Sequence, residues 1–322
     1  MLDSRHILFI TSNRIGDAIL STGLLGYLIE QDRDVQITVA CGPLAHDLFV
    51  NVPNVVDVHV MRKKSFSRHW LGLLSKTLGR QWYRVIDLRG SATAYLLWAR
   101  HRHVLRANHD LPRVEHIGGV MGLSPPPPPR VWIDETSRQK VSEVLPPDRP
   151  VVTIGSTSNW APKSWPAERF AQLVWHIARP DGVLPNAQIV LQGGPGEEKE
   201  LEPILKALPP GQVTNLAGCD LMTAAASMEK AAVYIGNDSG LTHLAAAVGV
   251  PTLALFGPTR DDLYAPWGAH TKTVRGKSYE ETLASPEFHY DSRDSFMNDI
   301  TVEQAYQGVL ELLGKQETKN EL

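Results

Sequence analysis

Short apolar runs and amphipathic stretches alternate along almost the whole chain, and this alternation is its first structural signal. HILFIT, VQITVAC, VVDVHVM and YRVIDLRG are rich in β-branched residues and bounded by polar turns, so they predict buried strands. Between the first two, Asp17 opens a helical pattern through Ala18, Ile19, Leu24, Leu25 and Leu28. PLAHDLFVN, HWLGLLSKTLG, SATAYLLWARHR and LPRVEHIGGVMGL predict further helices. The five prolines at 125–129 can join neither a helix nor a central strand and predict an extended connector. A second proline-rich stretch, 146–150, marks the expected domain boundary, because the pattern restarts after it.

The second half repeats the alternation. VVTIG, AQIVLQGG and VTNLAG predict strands, and PAERFAQLVWHIA a helix with Pro166 in its first turn. PGEEKELEPILKAL predicts a helix with acidic residues at its start, and another helix covers about 222–230. The last helix, TVEQAYQGVLELLG, opens on a Thr-x-x-Gln capping box if Thr301 is its N-cap. Strands alternating with helices at this interval predict an α/β chain of two Rossmann-like domains, 1–148 and 149–322, each a parallel sheet covered on both faces. No G-x-G-x-x-G follows the first strand and no P-loop motif occurs, which argues against a dinucleotide dehydrogenase or a P-loop NTPase.

Chemistry concentrates in 234–259, YIGNDSGLTHLAAAVGVPTLALFGPT, which reads as strand, loop, helix, strand and turn. Any of Asn237, Asp238 and Ser239 can cap a helix beginning near Leu241, and Gly249 and Pro251 end it. A parallel crossover sets the loop after its first strand at the carboxyl edge of the sheet, where ligands of open α/β sheets bind. The helix start there offers N–H groups and partial positive charge suited to a diphosphate. Ser239 and Gly240 permit close backbone approach, and Thr242 adds a hydroxyl. Asp238, a carboxylate that repels phosphate, is a helix cap, a support for neighbouring N–H groups or a partner for a sugar hydroxyl. His243 is a core histidine or a ligand contact.

Composition narrows the class. Hydrophobic residues make up 43% and charged residues 21% of the 322, as in globular chains. No apolar run reaches the ~18 residues of a membrane span, and the amino end shows no signal-peptide pattern. Cys41 and Cys219 stand alone, so reduced thiols in a cytoplasmic protein are expected. No cluster of His, Cys and carboxylates has metal-ligand spacing, and no required metal is expected. The net charge of −3 divides into +5 over 1–150 and −8 over 151–322. Within 61–114 twelve basic residues meet two acids, Asp87 and Asp110. That stretch is a candidate docking face for an anionic partner, or a solvated surface with its charges scattered over several elements.

The run G-N-D-S-G-L-T-H-L-A-A from Gly236, continued by P-T-L-A-L-F-G-P-T from Pro251, resembles the signature of glycosyltransferase family 9, the lipopolysaccharide heptosyltransferases. The resemblance extends over nearly the whole chain and implies a GT-B fold, two Rossmann-like domains facing across a cleft. The amino-terminal domain would bind the acceptor and the carboxyl-terminal one the nucleotide-sugar, with the helix at 301–314 packing back on the former. Arg14-Ile15-Gly16-Asp17 resembles the family's R-x-G-D element, which makes Asp17 the expected catalytic base; spacing alone reads it as a first-turn acid. Gly16 is expected to let the loop turn tightly, and Arg14 touches acceptor or phosphate or lies on the surface. Lys163-Ser164-Trp165-Pro166 resembles a K-x-W-P element whose Lys contacts donor phosphates, with Ser156, Thr157 and Ser158 in the same loop. In Gly193-Gly194-Pro195-Gly196-Glu197-Glu198 the family places a Glu on the ribose, here Glu197 in preference to Glu198. Asp87-Leu88-Arg89-Gly90 resembles a D-x-x-G element beside the acceptor, where Arg89 suits a carboxylate or phosphate. Arg100, His101, Arg102, His103 and Arg106 extend that site or meet anionic headgroups.

The resemblance implies an inverting, metal-independent enzyme that moves heptose from ADP-heptose to a lipopolysaccharide core or related glycan. It implies no cofactor beyond that nucleotide-sugar substrate. Its expected partners are an anionic lipid-linked glycan and, through 61–114, the cytoplasmic surface of the inner membrane; nucleic acid is not expected. Two rivals remain. An epimerase or hydrolase on the same fold would turn over donor without acceptor, and a non-catalytic binding protein would hold nucleotide-sugar without product.

Overall fold

A computed structural model describes residues 5–63, 68–108 and 110–320, with side chains as far as 314. The chain divides into two compact units, Met1–Trp132 and Ile133–Leu322. The first holds five strands: β1 (His6–Ile10), β2 (Gln36–Cys41), β3 (Val55–Val60), β4 (Trp82–Asp87) and β5 (Ala99–Val104). They pair in parallel in the order β3-β2-β1-β4-β5. Leu8, Ile10, Ala40, Leu73, Trp82 and Val85 pack together on this sheet.

Two expectations for this unit need correction. The helix expected from Asp17 begins at Ile15 and runs as Ile15–Leu20 and Thr22–Gln31, interrupted at Ser21. Ser21 and Thr22 turn their hydroxyls back on the Ala18 and Ile19 carbonyls, each at 2.7 Å, and such back-bonding bends helices. The helix expected over SATAYLLWARHR is only Thr93–Leu96, and the rest is strand β5. β5 is a sheet edge carrying Arg-His-Arg-His, so it shows no apolar period to read. The proline run is extended as expected and crosses the helix Thr22–Gln31 at Gly23, where a Cβ would meet the Pro127 and Pro128 backbone.

The second unit holds β6 (Val151–Gly155), β7 (Gln188–Leu191), β8 (Val213–Asn215), β9 (Val233–Asn237), β10 (Thr252–Phe256) and β11 (Thr271–Arg275). Their parallel order is β11-β10-β9-β6-β7-β8. Counted within each unit, both sheets follow the Rossmann order, in which strand direction of travel reverses beside the first strand. The reversal falls between β1 and β4 in the first unit and between β6 and β9 in the second.

The division after Trp132 precedes the expected one at 148. An unanticipated helix, Glu135–Val144, belongs to the second unit; Asp134 caps it by accepting the Ser137 N–H at 2.8 Å. Val141 and Leu145 pack there with Val151, Val190 and Ala226. The helix expected over 195–208 is a 3-10 turn, Glu198–Leu201, followed by Glu202–Ala207. The last helix, Val302–Asn320, is built into its own unit: Ala305, Val309, Leu312 and Leu313 join the core under β9 to β11. Its apolar face is thereby committed to the second sheet. The Thr301 capping box is present, with Thr301 N–H on Gln304 Oε1 at 2.8 Å and Gln304 N–H on Thr301 Oγ1 at 3.1 Å. Cys41 and Cys219 are free, and burial raises their thiols to about 12 and about 11. Lys64, counted in the basic stretch, lies outside the described residues.

Candidate active site

In the first unit the loop after β1 leads into the helix Ile15–Leu20, which carries Asp17 in its first turn. Asp17 Oδ1 accepts from Arg113 Nε at 2.8 Å, while among the described residues Oδ2 has a long contact from the Ser12 hydroxyl, 3.4 Å. Arg113 opens the helix Arg113–Gly119 and is itself held. Its Nη1 donates to His116 Nδ1 at 3.2 Å, and His116 Nε2 donates to the Arg106 carbonyl at 2.7 Å. That chain of bonds selects the Nε2–H tautomer of His116. Arg113 was counted in the basic stretch but not singled out, because nothing in a local motif links positions so far apart.

Asp87 ends β4 fully buried. It accepts from the Arg89 N–H at 2.8 Å, the Ser91 N–H at 2.8 Å and the Ser91 hydroxyl at 2.6 Å. Those three bonds fold its own loop. Arg89 is the group that loop presents. Its guanidinium lies 4.5 Å from the Trp70 ring centroid, and Nη1 donates to Asn13 Oδ1 at 3.3 Å. Burial lowers its pKa below the usual arginine value. The Arg89–Asn13 bond joins the loops after β4 and β1 at the first switch point. Arg14 is exposed, and Gly16 is a helical residue rather than the pivot of a turn.

In the second unit Lys163 Nζ lies 3.5 Å from Asp238 Oδ2, with both side chains largely buried. They come from the loops after β6 and β9, the two strands at the switch point. Asn237, which no expectation beyond capping had singled out, sets this geometry. It is fully buried; Oδ1 accepts the Trp165 N–H at 3.0 Å, and Nδ2 donates to the Ser156 carbonyl at 2.6 Å. Trp165 is fixed again by its indole, which donates to the Ile300 carbonyl at 3.0 Å.

Asp238 does not cap the helix. Ser239 takes the N-cap place with extended backbone, φ −150° and ψ 170°, and the helix is Gly240–Val248. Ser239 makes no side-chain cap bond, so the helix start is not closed by its own cap. Thr242 is buried, and its hydroxyl donates to the Asn237 carbonyl at 2.5 Å. His243 is buried in the same turn. Gly236 has a packing reason. Tyr234 is fully buried, and a Cβ on Gly236 would come within 2.5 Å of its hydroxyl and 2.9 Å of the Gly155 carbonyl. Glu197 folds its loop by accepting the Gly194 N–H at 2.7 Å. Ser156 Oγ and Thr259 Oγ1, beyond the carboxyl ends of β6 and β10, are buried hydroxyls without a hydrogen-bond partner among the described residues. Thr259 was legible only as the last letter of the signature.

Two parallel sheets in Rossmann order, each with polar groups gathered at its switch point, define a GT-B type of chain. Solved structures share that fold. The ADP-heptose lipopolysaccharide heptosyltransferase II of E. coli aligns with a TM-score of 0.75 at 22% identity, over 97% of this chain and 99% of that one. A family 9 glycosyl transferase from Veillonella parvula aligns with a TM-score of 0.79 at 22% identity, over 98% of each. Among curated proteins, lipooligosaccharide heptosyltransferase 2 of Haemophilus influenzae is 30% identical over 176 residues, 52% of this chain and 49% of that protein. Lipopolysaccharide heptosyltransferase 2 of Salmonella typhimurium is 27% identical over 191 residues, 56% and 49%. The chain thus spans about half the length of the curated relatives it matches. The family model described as glycosyltransferase family 9 (heptosyltransferase) matches residues 91–294. The chain belongs to glycosyltransferase family 9.

Proposed function

We propose that the chain is an inverting glycosyltransferase that moves a heptose from ADP-heptose to a lipopolysaccharide core or related glycan. The observation that carries this is Asp17, presented at the first switch point with one oxygen fixed by Arg113 and the other available. Oδ2 takes the acceptor hydroxyl's proton as the new glycosidic bond forms, and Arg113 keeps the carboxylate pointed. Arg89 orients an anionic acceptor beside it. Lys163 and the Ser239–Gly240 helix start take the charge of the departing ADP, so the chemistry asks for no metal. Lys163 rests on Asp238 until the diphosphate competes for it. Family relatives named for heptose transfer, and a structural relative named for ADP-heptose, support this choice of substrate. The lipid-linked acceptor brings the chain to the cytoplasmic face of the inner membrane through its basic first unit.

The test is transfer with ADP-heptose and a lipopolysaccharide-core acceptor, alongside metal-free calorimetry with ADP, UDP, GDP and CDP. Asp17→Ala is expected to lose about 10²–10⁴-fold in rate while binding ADP as the wild type does. Wild-type transfer by Asp17→Ala sinks the base assignment, and preference for another nucleotide sinks heptose as the sugar.

A further inference from the structure

Each sheet ends in two edge strands, and three of the four edges are guarded. β5 carries Arg100, His101, Arg102 and His103, β11 carries Lys272 and Arg275, and β8 is only three residues long. Charge and shortness are the ordinary defences of an edge against pairing with another chain. β3 has neither. It reads Val-Val-Asp-Val-His-Val over Val55–Val60 and stands at the end of the first sheet among the described residues. Val56 is 56% exposed and Val60 37%. Leu44 and Val50 are also bare, on the segment that leads from β2 through the helix His46–Val50, which packs on β3.

The backbone decides what this edge offers. Met61 N–H turns inward to the Cys41 carbonyl at 2.8 Å. Asp57, Val58, His59 and Val60 lie beside Thr38, Val39, Ala40 and Cys41 of β2, beyond the register shift between Ile37 and Thr38. Backbone groups along a strand alternate in side. The N–H and C=O of Asp57 and His59 therefore face β2, and those of Val58 face outward with the Val56 carbonyl and the Val60 N–H. About Val58 the side chains run Val-Asp-Val-His-Val, a palindrome in which only the two polar residues differ. Laid antiparallel on a second copy with Val58 on the axis, Val58 opposes Val58, Val56 opposes Val60 and Asp57 opposes His59. The Val58 N–H and C=O then meet their counterparts, and each Val60 N–H meets the other copy's Val56 carbonyl. The Asp57–His59 oppositions fall in the closer, non-hydrogen-bonded class, about 4.5 Å between Cα atoms. Within one chain His59 Nδ1 already lies 3.5 Å from Asp57 Oδ2, so both groups project on the same face of the sheet.

We propose that the chain forms a two-fold dimer by antiparallel pairing of β3 with β3 about Val58, which joins the first sheets of two copies into one. Any extended strand would satisfy the outward backbone groups. A second copy also matches side chain to side chain: valine meets valine, carboxylate meets imidazole, and like charges meet nowhere. The proposal concerns a surface that sugar transfer leaves unused and does not depend on the choice of substrate.

Sedimentation equilibrium of the full chain over a range of concentrations tests it, with circular dichroism to check the fold of each variant. The wild type is expected to be a dimer in equilibrium with monomer. Val58→Pro removes an N–H that faces outward, a change edge strands tolerate, and should be monomeric. His59→Asp sets carboxylate against carboxylate at both ends of the pairing and should weaken the dimer about tenfold; adding Asp57→His should restore it. Oxidation locates the axis. Val58→Cys should give a disulfide-linked dimer, because residues opposed across the axis lie within disulfide reach. Val56→Cys, opposed to Val60, should not exceed the wild type, whose free Cys41 and Cys219 set the background. A wild type that is monomeric at every concentration overturns the proposal. So does a dimer that a folded Val58→Pro leaves intact, a charge swap that restores nothing, or equal cross-linking at positions 56 and 58. Should Val58→Pro fail to fold, the charge swap and the cross-link decide.

Discussion

Asn237→Ala separates the role of the fold from the role of charge at the donor side. The substitution removes two bonds from a fully buried position, leaving the Trp165 N–H and the Ser156 carbonyl without their partner. Each orphaned buried group costs about 1–3 kcal/mol, so the second unit should lose roughly 2–6 kcal/mol, toward the lower end if water enters. Urea unfolding followed by tryptophan fluorescence reads that loss. Lys163 lies two residues before Trp165, so a slackened loop also spreads its ammonium over many positions. ADP affinity, measured by calorimetry, should fall about tenfold to a hundredfold, the scale expected when a binding group is misplaced by an ångström. Lys163→Ala provides the contrast. It should lose comparable affinity with the Asn237 bonds to Trp165 and Ser156 left in place. The reasoning is refuted if Asn237→Ala unfolds more easily yet binds ADP with wild-type affinity. Unchanged stability refutes it too.

Gly236→Ala should destabilise the second unit by about 1–3 kcal/mol, since the new methyl meets the Tyr234 hydroxyl and the Gly155 carbonyl; a variant that also carries Tyr234→Phe should recover part of the loss in urea unfolding, and no recovery would show that Tyr234 is not the obstacle. Acid should weaken the first unit through His6. Burial, then the Arg80 charge, lowers its pKa, and Nε2 pairs with Thr38 Oγ1 at 2.9 Å. The unfolded chain therefore takes the proton first, so the stability due to a neutral His6 is full above the ordinary histidine pKa of about 6.5 and declines as pH falls below it. Melting of wild type and His6→Gln at about pH 7.5 and about pH 5.5 checks this: the wild type should lose more, and equal losses would clear His6 of the effect.

The tandem Rossmann order was legible because its central strands are continuous apolar runs and its helices have clear periods, as in HILFIT and PAERFAQLVWHIA. β5 was not, because an edge strand of alternating Arg and His has no buried face to betray it. The helix Glu135–Val144 was missed for a related reason: only Ser137 and Val141 within it are buried, too few to make a stripe. Lys163, Asp238 and Asp17 stood in short motifs and fall at the switch points. Asn237, Arg113 and Asp87 show what motifs leave out. Asn237 and Asp87 act on loop backbone, and whether a polar side chain faces a ligand or its own loop is decided by hydrogen-bond geometry. Arg113 acts across a fold that had first to be built.

The bond between Asp17 and Arg113 joins positions 96 residues apart. A change at either position therefore bears on the other. A descendant that replaces the arginine keeps an intact R-x-G-D motif and loses the bond that holds Asp17, so the motif alone is a poor witness to that geometry. Segments exchanged between relatives inherit the device only when both strands of that history come from the same parent, and the pair, rather than either residue, is the unit to trace.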